Sequence, residues 1–272
     1  MKNINKLTGL KIFTGAVCLL LLILTSCSKG TTGESQAGKQ QAEEAEENLL
    51  LKNTLIVGSD TSFPPFSFVE DGVPAGFDID IINEILSKID RQAEIIEVKW
   101  DPEFENFKES PADLMVSAVL FDEKKEPLVD FSDPYFKMKY MLLALVGSDL
   151  KEEKDLTGKL VGTLNNGDLL VDEDWLFNFN LKEFDNISVM LDALKNKEIE
   201  GIIISLPLAV NLLRENLDSY SFLAEVESAK QFVIVFKEGS PLKALIDPVI
   251  NELTGSARYA EIFDKWFAYN SL

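Results

Sequence analysis

The chain has no histidine. That absence removes the side chain that most often serves as a general base near neutral pH and most often ligates metal. Cysteine is nearly absent as well: Cys18 and Cys27 are the two in 272 residues. Cys18 lies inside an N-terminal apolar run; with that run cleaved off, Cys27 would be the one cysteine left and no disulfide could form. No glycine-rich phosphate loop is present. The apolar run itself, Ile12 to Leu24, is thirteen residues long, short of the roughly 20 that span a bilayer. Positive charge is scarce, with 26 Lys and Arg against 46 Asp and Glu and a formal net charge of −20. Such a surface repels phosphate backbones and anionic headgroups, which argues against a nucleic-acid partner and against a polybasic membrane contact. An acidic surface of this kind favours solubility.

What is present begins at the N-terminus. Lys2, Lys6 and Lys11 precede the short apolar run, the pattern of a signal peptide over residues 1–26. The run ends in Leu24-Thr25-Ser26-Cys27, which resembles the lipobox of bacterial lipoproteins and makes Cys27 the expected lipidated residue. An ordinary signal peptide with an incidental thiol is the alternative. From Ser28 to Glu47 the chain is rich in Ser, Gly, Gln and Glu without one large apolar residue. Residues 27–50 are therefore expected to be the lipidated cysteine and a disordered tether.

From Thr54 the pattern changes. TLIVGSD reads as a strand, GFDIDIINEILSKI as a helix with Ile79, Ile82, Ile85, Leu86 and Ile89 at helical spacing, AEIIEV as the next strand, DPEFENFKE as a short helix and ADLMVSAVLF as a nearly continuous apolar strand. The cycle recurs: MKYMLLALV and KLVGTL are strands, ISVMLDALK, GIIIS and the segment after it give helix, strand, helix, QFVIVFK is a further strand, and two amphipathic helices separated near Gly255 close the chain. Alternation of this kind predicts α/β architecture. The length of MKYMLLALV suits a strand crossing between two α/β lobes, with a ligand cleft at their junction.

Four blocks in order, GSDTSFPPFSFVEDGVPAGFDIDIINEI, ADLMVSAVLFDEKKEPLVDFSDPYF, LTGKLVGTLNNG and ARYAEIFDKWF, resemble the family 3 extracellular solute-binding proteins, which deliver polar amino acids to ABC importers. The resemblance covers about Thr54 to Phe267. It implies a bilobal type II periplasmic-binding fold with two hinge strands: lobe 1 from residues 51–141 and 222–272, lobe 2 from 142–221. It implies a small polar solute, an ABC permease as partner, a monomer, no cofactor and no metal. The solute is expected to meet Asp60, Phe63, Trp100, Ser117, Asp122 and Lys125 in lobe 1, and Asn166, Gly167, Asp168 and Ser205 in lobe 2; Phe63 and Trp100 fall where the family clamps the ligand side chain between rings, and Asp60 lies on the loop of Phe63. Several depart from the family pattern. Lys125 stands where the family has a carboxylate-binding arginine and lacks its planar fork. Asp122 replaces a hydroxyl and is expected either to repel a ligand carboxylate or to neutralise Lys125 one turn away. Asn166-Gly167-Asp168 replaces a Gly-Thr-Thr-like turn at a helix N-terminus, and Ser205 replaces the acid that receives the α-amino group.

Two solute classes stay open from these residues. An amino acid fits if Lys125 takes its carboxylate and one of the acids takes over its amino group. An amine fits because Phe63, Trp100 and the carboxylates all attract a desolvated cation. Plain packing for the two aromatics and a solvated helix face for Asp122 and Lys125 are the alternatives. A ligand-sensing partner of a membrane receptor, or a dehydratase built on the same fold, remain the other functional classes. Without histidine, catalysis would fall to Asp and Glu alone, so the chain is expected not to be an enzyme.

Overall fold

The structure, a computed structural model, describes residues 36–165, 169, 171, 173–215 and 218–268. The chain divides into units 1–40 and 41–272. The signal peptide and Cys27 lie outside the described residues.

Within the second unit two five-stranded sheets repeat one plan. In the first, Gln92–Glu97, Thr54–Ser59 and Leu114–Met115 run parallel, followed by Val235–Phe236 and Asp130–Phe131, with Val235–Phe236 antiparallel to both of its neighbours. In the second, Asn180–Phe184, Leu160–Leu164 and Gly201–Ser205 run parallel, followed by two long antiparallel strands, Phe136–Leu145 and Tyr220–Phe232. A hairpin sheet, Ser62–Phe63, Ser67–Glu70 and Val73–Ala75, lies beyond the end of Thr54–Ser59. The alternation of strand and helix in the sequence thus yields two α/β lobes, and the two long strands run between them as the hinge.

The feet of those strands are fixed by aromatic packing. Phe136 and Phe232 are paired in the ladder and their rings stack at 5.4 Å. Phe66 meets both edge-on, at 5.3 and 5.0 Å, and Phe77 and Phe267 close the knot against Phe136. Phe77 opens the helix Phe77–Lys88, whose Ile81, Ile82, Ile85 and Leu86 are all fully buried. Asp78 and Asp80 sit in its first turn and Lys88 in its last, in accord with the helix dipole.

Several segments differ from the sequence expectation, and QFVIVFK, expected as one strand, is divided between the end of Tyr220–Phe232 and Val235–Phe236, which lie in different sheets. A helix, Gln36–Leu51, stands where an unstructured tether is expected. Its QAGKQQAEEAEE run is made mostly of strong helix formers, and its end is held by Arg91, which donates to the carbonyls of Leu50 and Lys52. The expected long strand ADLMVSAVLF is interrupted. Leu114–Met115 joins the ladder, Ala118 turns to φ +46°, and Leu120 then bridges to Phe232. The break follows from a side chain elsewhere: the Ala118 N–H is drawn to the buried Asp78 carboxylate at 2.6 Å rather than to a neighbouring strand.

Gly76 precedes the helix at φ +132°, where a Cβ would run into the Phe66 carbonyl; Gly72 has φ +82° but open space around it. Gly76→Ala is therefore expected to cost about 3 kcal/mol or more, from backbone strain and collision together, and Gly72→Ala ~1–2 kcal/mol. Urea unfolding of the two variants checks this, and equal costs would contradict it.

Candidate functional site

The candidate residues arrive at one place because they follow the carboxyl ends of parallel strands, where open α/β sheets leave a crevice. Asp60 and Phe63 follow Thr54–Ser59, Trp100 follows Gln92–Glu97, and Ser117 follows Leu114–Met115. Asp122 and Lys125 belong to the next loop, which turns through a short 3-10 helix, Glu123–Lys125. All six line a single cavity of about 480 Å³, together with Ser62, Pro102, Phe104 and Ala118. A neighbouring cavity of about 320 Å³ shares Phe63, Ala118 and Leu120 with it and reaches Ser205 at the end of Gly201–Ser205. Its wall includes Met138, Tyr140 and Phe232 of the crossing strands. Asn166, Gly167 and Asp168 lie outside the described residues.

Asp60 anchors the lobe 1 side. Its carboxylate accepts from the Ser62 hydroxyl at 2.6 Å, the Trp100 N–H at 2.9 Å and the Lys99 ammonium at 3.3 Å. Its own N–H donates to the Ser117 hydroxyl at 3.1 Å. Burial alone would push this carboxyl up, but the bonds from Ser62, Trp100 and Lys99 outweigh it and hold it below the ordinary carboxylate range. Asp60 therefore ties three of the candidate loops together while keeping its charge. Phe63 stacks on Phe66 at 5.6 Å, with the rings 13° from parallel, and Trp100 meets Phe104 edge-on at 5.2 Å. Both rings remain about half exposed, at 49% and 45%, so each rests against the protein on one side and offers surface to the cavity on the other.

Lys125 and Asp122 are not paired as expected from their spacing. Asp122 accepts the Lys124 N–H at 3.0 Å and caps the 3-10 turn. The Lys125 ammonium instead meets Glu103 at 2.5 Å, a partner 22 residues earlier. The reason is geometric: Asp122 is bound to the backbone of the 3-10 turn, which leaves the ammonium to Glu103, between the cavity-lining Pro102 and Phe104. Glu103, Ala118, Lys230 and the apolar wall of Leu164, Ile204 and Leu208 were not legible as site residues; Lys230 and this wall line the second cavity. Among the described residues no group of three histidine, cysteine or carboxylate side chains is placed to hold a metal ion.

Residues 55–269 match the bacterial extracellular solute-binding proteins, family 3. A "Probable histidine-binding protein" of Campylobacter jejuni is 29% identical over 79% of this chain and 81% of its own length. The arginine-binding extracellular protein ArtP of Bacillus subtilis is 24% identical over 93% of this chain and 95% of its own. Among solved structures, the L-cystine solute receptor of Neisseria gonorrhoeae in the unliganded open conformation superposes with a TM-score of 0.66 at 19% identity, covering 81% of this chain and 95% of that one; this likeness shows the fold. The chain belongs to the bacterial extracellular solute-binding proteins, family 3, and is a two-lobed binding protein, not an enzyme.

Proposed function

We propose that the protein captures a small polar solute in the cleft and hands it to an ABC importer while a lipid on Cys27 holds it at the outer face of a bacterial membrane. The observation that carries this reading is the convergence of Asp60, Phe63, Trp100, Ser117, Asp122 and Lys125 on one cavity beside the crossing strands. The solute is an amino acid with a cationic side chain. The exposed ring faces of Phe63 and Trp100 with the ionised Asp60 beside them suit a cation, and Lys125 offers a point charge to a carboxylate. Relatives described as histidine- and arginine-binding fit the same chemistry. A simple amine without a carboxylate is the second reading. It is favoured by the Lys125–Glu103 pair, which already satisfies the cation that would receive an anion. Ser205, Asn166, Gly167 and Asp168 complete the proposed site from lobe 2, residues 142–221. Tethering raises the effective concentration of the loaded protein at its permease, and a diacylated cysteine with a further chain anchors firmly at about 0.8 kcal/mol per buried methylene.

Thermal unfolding of the full chain against L-arginine, L-histidine, L-lysine and L-cystine on one plate and putrescine and spermidine on another tests the solute class. A compound at about a hundred times its dissociation constant adds about 2.7 kcal/mol, several degrees in melting temperature. Shifts from amino acids support the first reading and shifts from amines alone the second; silence on both plates contradicts the proposal. Lys125→Ala is expected to weaken amino-acid binding about 10- to 100-fold, the loss of one charge-assisted bond, and to leave amine binding unweakened. Calorimetric titration reads both. For the anchor, bacteria grown with a radiolabelled fatty acid are expected to label the wild-type chain and not Cys27→Ser; equal labelling would place the lipid elsewhere, and none on either would remove it.

A further inference from the structure

Behind the cavity lies a carboxylate that the solute site itself does not use. Asp78 has no solvent-exposed surface. One of its oxygens accepts the Ala118 N–H at 2.6 Å and the other accepts the Tyr135 hydroxyl at 2.7 Å. Ala118 lines both cavities and has a left-handed backbone, φ +46°. It follows Ser117, whose hydroxyl receives the Asp60 N–H. Tyr135 immediately precedes the crossing strand Phe136–Leu145, and its N–H donates to the carbonyl of Phe232 at the foot of the other crossing strand. Its carbonyl receives the Tyr259 hydroxyl at 2.9 Å. One buried carboxylate therefore touches both the wall of the cleft and the base of the hinge.

We propose that Asp78 is a positioning residue for the solute: as an ionised double acceptor it holds the Ser117–Ala118 wall and the foot of the hinge in one binding-competent arrangement. This rests on the reading of the cleft as a solute site. The N–H···O distance of 2.6 Å from Ala118 is shorter than a neutral bond of that type, and the O–H···O distance of 2.7 Å from Tyr135 is compatible with a charged acceptor. A protonated Asp78 would have to turn its own proton onto Tyr135 or leave it without an acceptor, and the Tyr135 hydroxyl proton would then lose its partner. The wall at Ala118 would be held by a weaker, neutral bond.

Burial pushes the Asp78 carboxyl up to about 7, with the Tyr135 and Ala118 donors pulling it part of the way back. Its own helix presents no cation to it. Across from it the residue before the crossing strand, Tyr135, and Tyr259 of the helix Ala257–Phe267 face it, both phenols pushed up by burial and by Asp78 itself. A carboxyl raised by folding stabilises the protein most when protonated, so this group's contribution to stability falls as pH rises from the unfolded carboxylate value to about 7. Solute affinity runs the other way: it is full above that value, where the carboxylate accepts both bonds, and falls on acidification. A purely structural acid would move affinity and stability together.

The test uses the full chain with L-arginine and putrescine as probes, since neither changes charge over the range used. From about pH 8 to about pH 6, probe affinity is expected to drop about tenfold, following the ionised fraction, while the Asp78 contribution to thermal stability increases. Asp78→Asn is expected to bind about tenfold more weakly at the higher pH, as it retains one good acceptor, with a flat affinity profile. Tyr135→Phe, which leaves the carboxylate in place, is expected to move the midpoint to higher pH. In parallel, the Ala118 amide of the ¹⁵N-labelled chain is followed by NMR without any solute; it is expected to titrate near neutrality in wild type and not in Asp78→Asn. An Ala118 amide indifferent to pH in wild type, or probe affinity that rises in acid together with stability, overturns the proposal. If neither probe binds wild type at any pH, the solute reading fails separately, and the Ala118 titration still decides whether Asp78 holds the wall.

Discussion

The cleft depends on how two strands are seated. Phe136 and Phe232 pair across the ladder and stack, and Phe66, Phe77 and Phe267 pack around them. Aromatic pairs of this kind contribute about 0.5–1.5 kcal/mol each beyond the area they bury, and here they are concentrated at the point where both crossing strands leave lobe 1. Just above the knot the ladder loosens. Between Glu227 and Gln231 one strand advances four residues while its partner advances two, from Lys139 to Lys137. Such a bulge bends the strand and increases its local twist. The rigid foot and the irregular stretch above it are the combination that a hinge requires, since a hinge absorbs backbone change over a few residues while the bodies on either side stay packed. Phe63 is stacked on the same knot through Phe66, so one exposed face of the cleft is fixed to the base of the hinge.

Charge in the cleft is arranged by local bonds more than by net composition. The chain carries a large acidic excess, yet the two carboxylates that line the cavity are committed, Asp60 to three donors and Asp122 to the turn it caps, and Glu103 beside it is committed to Lys125. Asp60 stays ionised because those donors compensate its desolvation, whereas Asp78, with two donors and complete burial, is pushed up to about 7. The same residue type thus serves as a fixed charge at the cavity surface and as a titratable clamp behind it.

Much of this was legible in the chain. Strand and helix periodicity placed Thr54–Ser59, Phe77–Lys88, Gln92–Glu97, Phe136–Leu145 and Gly201–Ser205 close to where they lie, because those segments are buried on the faces that their apolar residues predict. The six lobe 1 residues around the cavity came from matching blocks of sequence, and each follows a strand end. Several features escaped, the strand from Tyr220 to Lys230 among them. The break at Ala118 depends on the side chain of Asp78, 40 residues away, and nothing in the composition of ADLMVSAVLF signals it. The partner of Lys125 is remote in sequence, so a rule about neighbours on one helix pointed to Asp122. The helix Gln36–Leu51 is obscured because a polar run of strong helix formers has the same composition as a tether.

Hydrogen–deuterium exchange of the full chain, with and without a mixture of the common L-amino acids and polyamines, tests the central claim most directly, because it locates any bound solute without assuming its identity. The account predicts slowed exchange at Asp60–Phe63, around Trp100, at Ser117–Lys125 and at Ser205, together with a change in the irregular stretch between Glu227 and Gln231. Protection confined to surfaces away from the cleft, or no change anywhere at saturating concentrations, would contradict it.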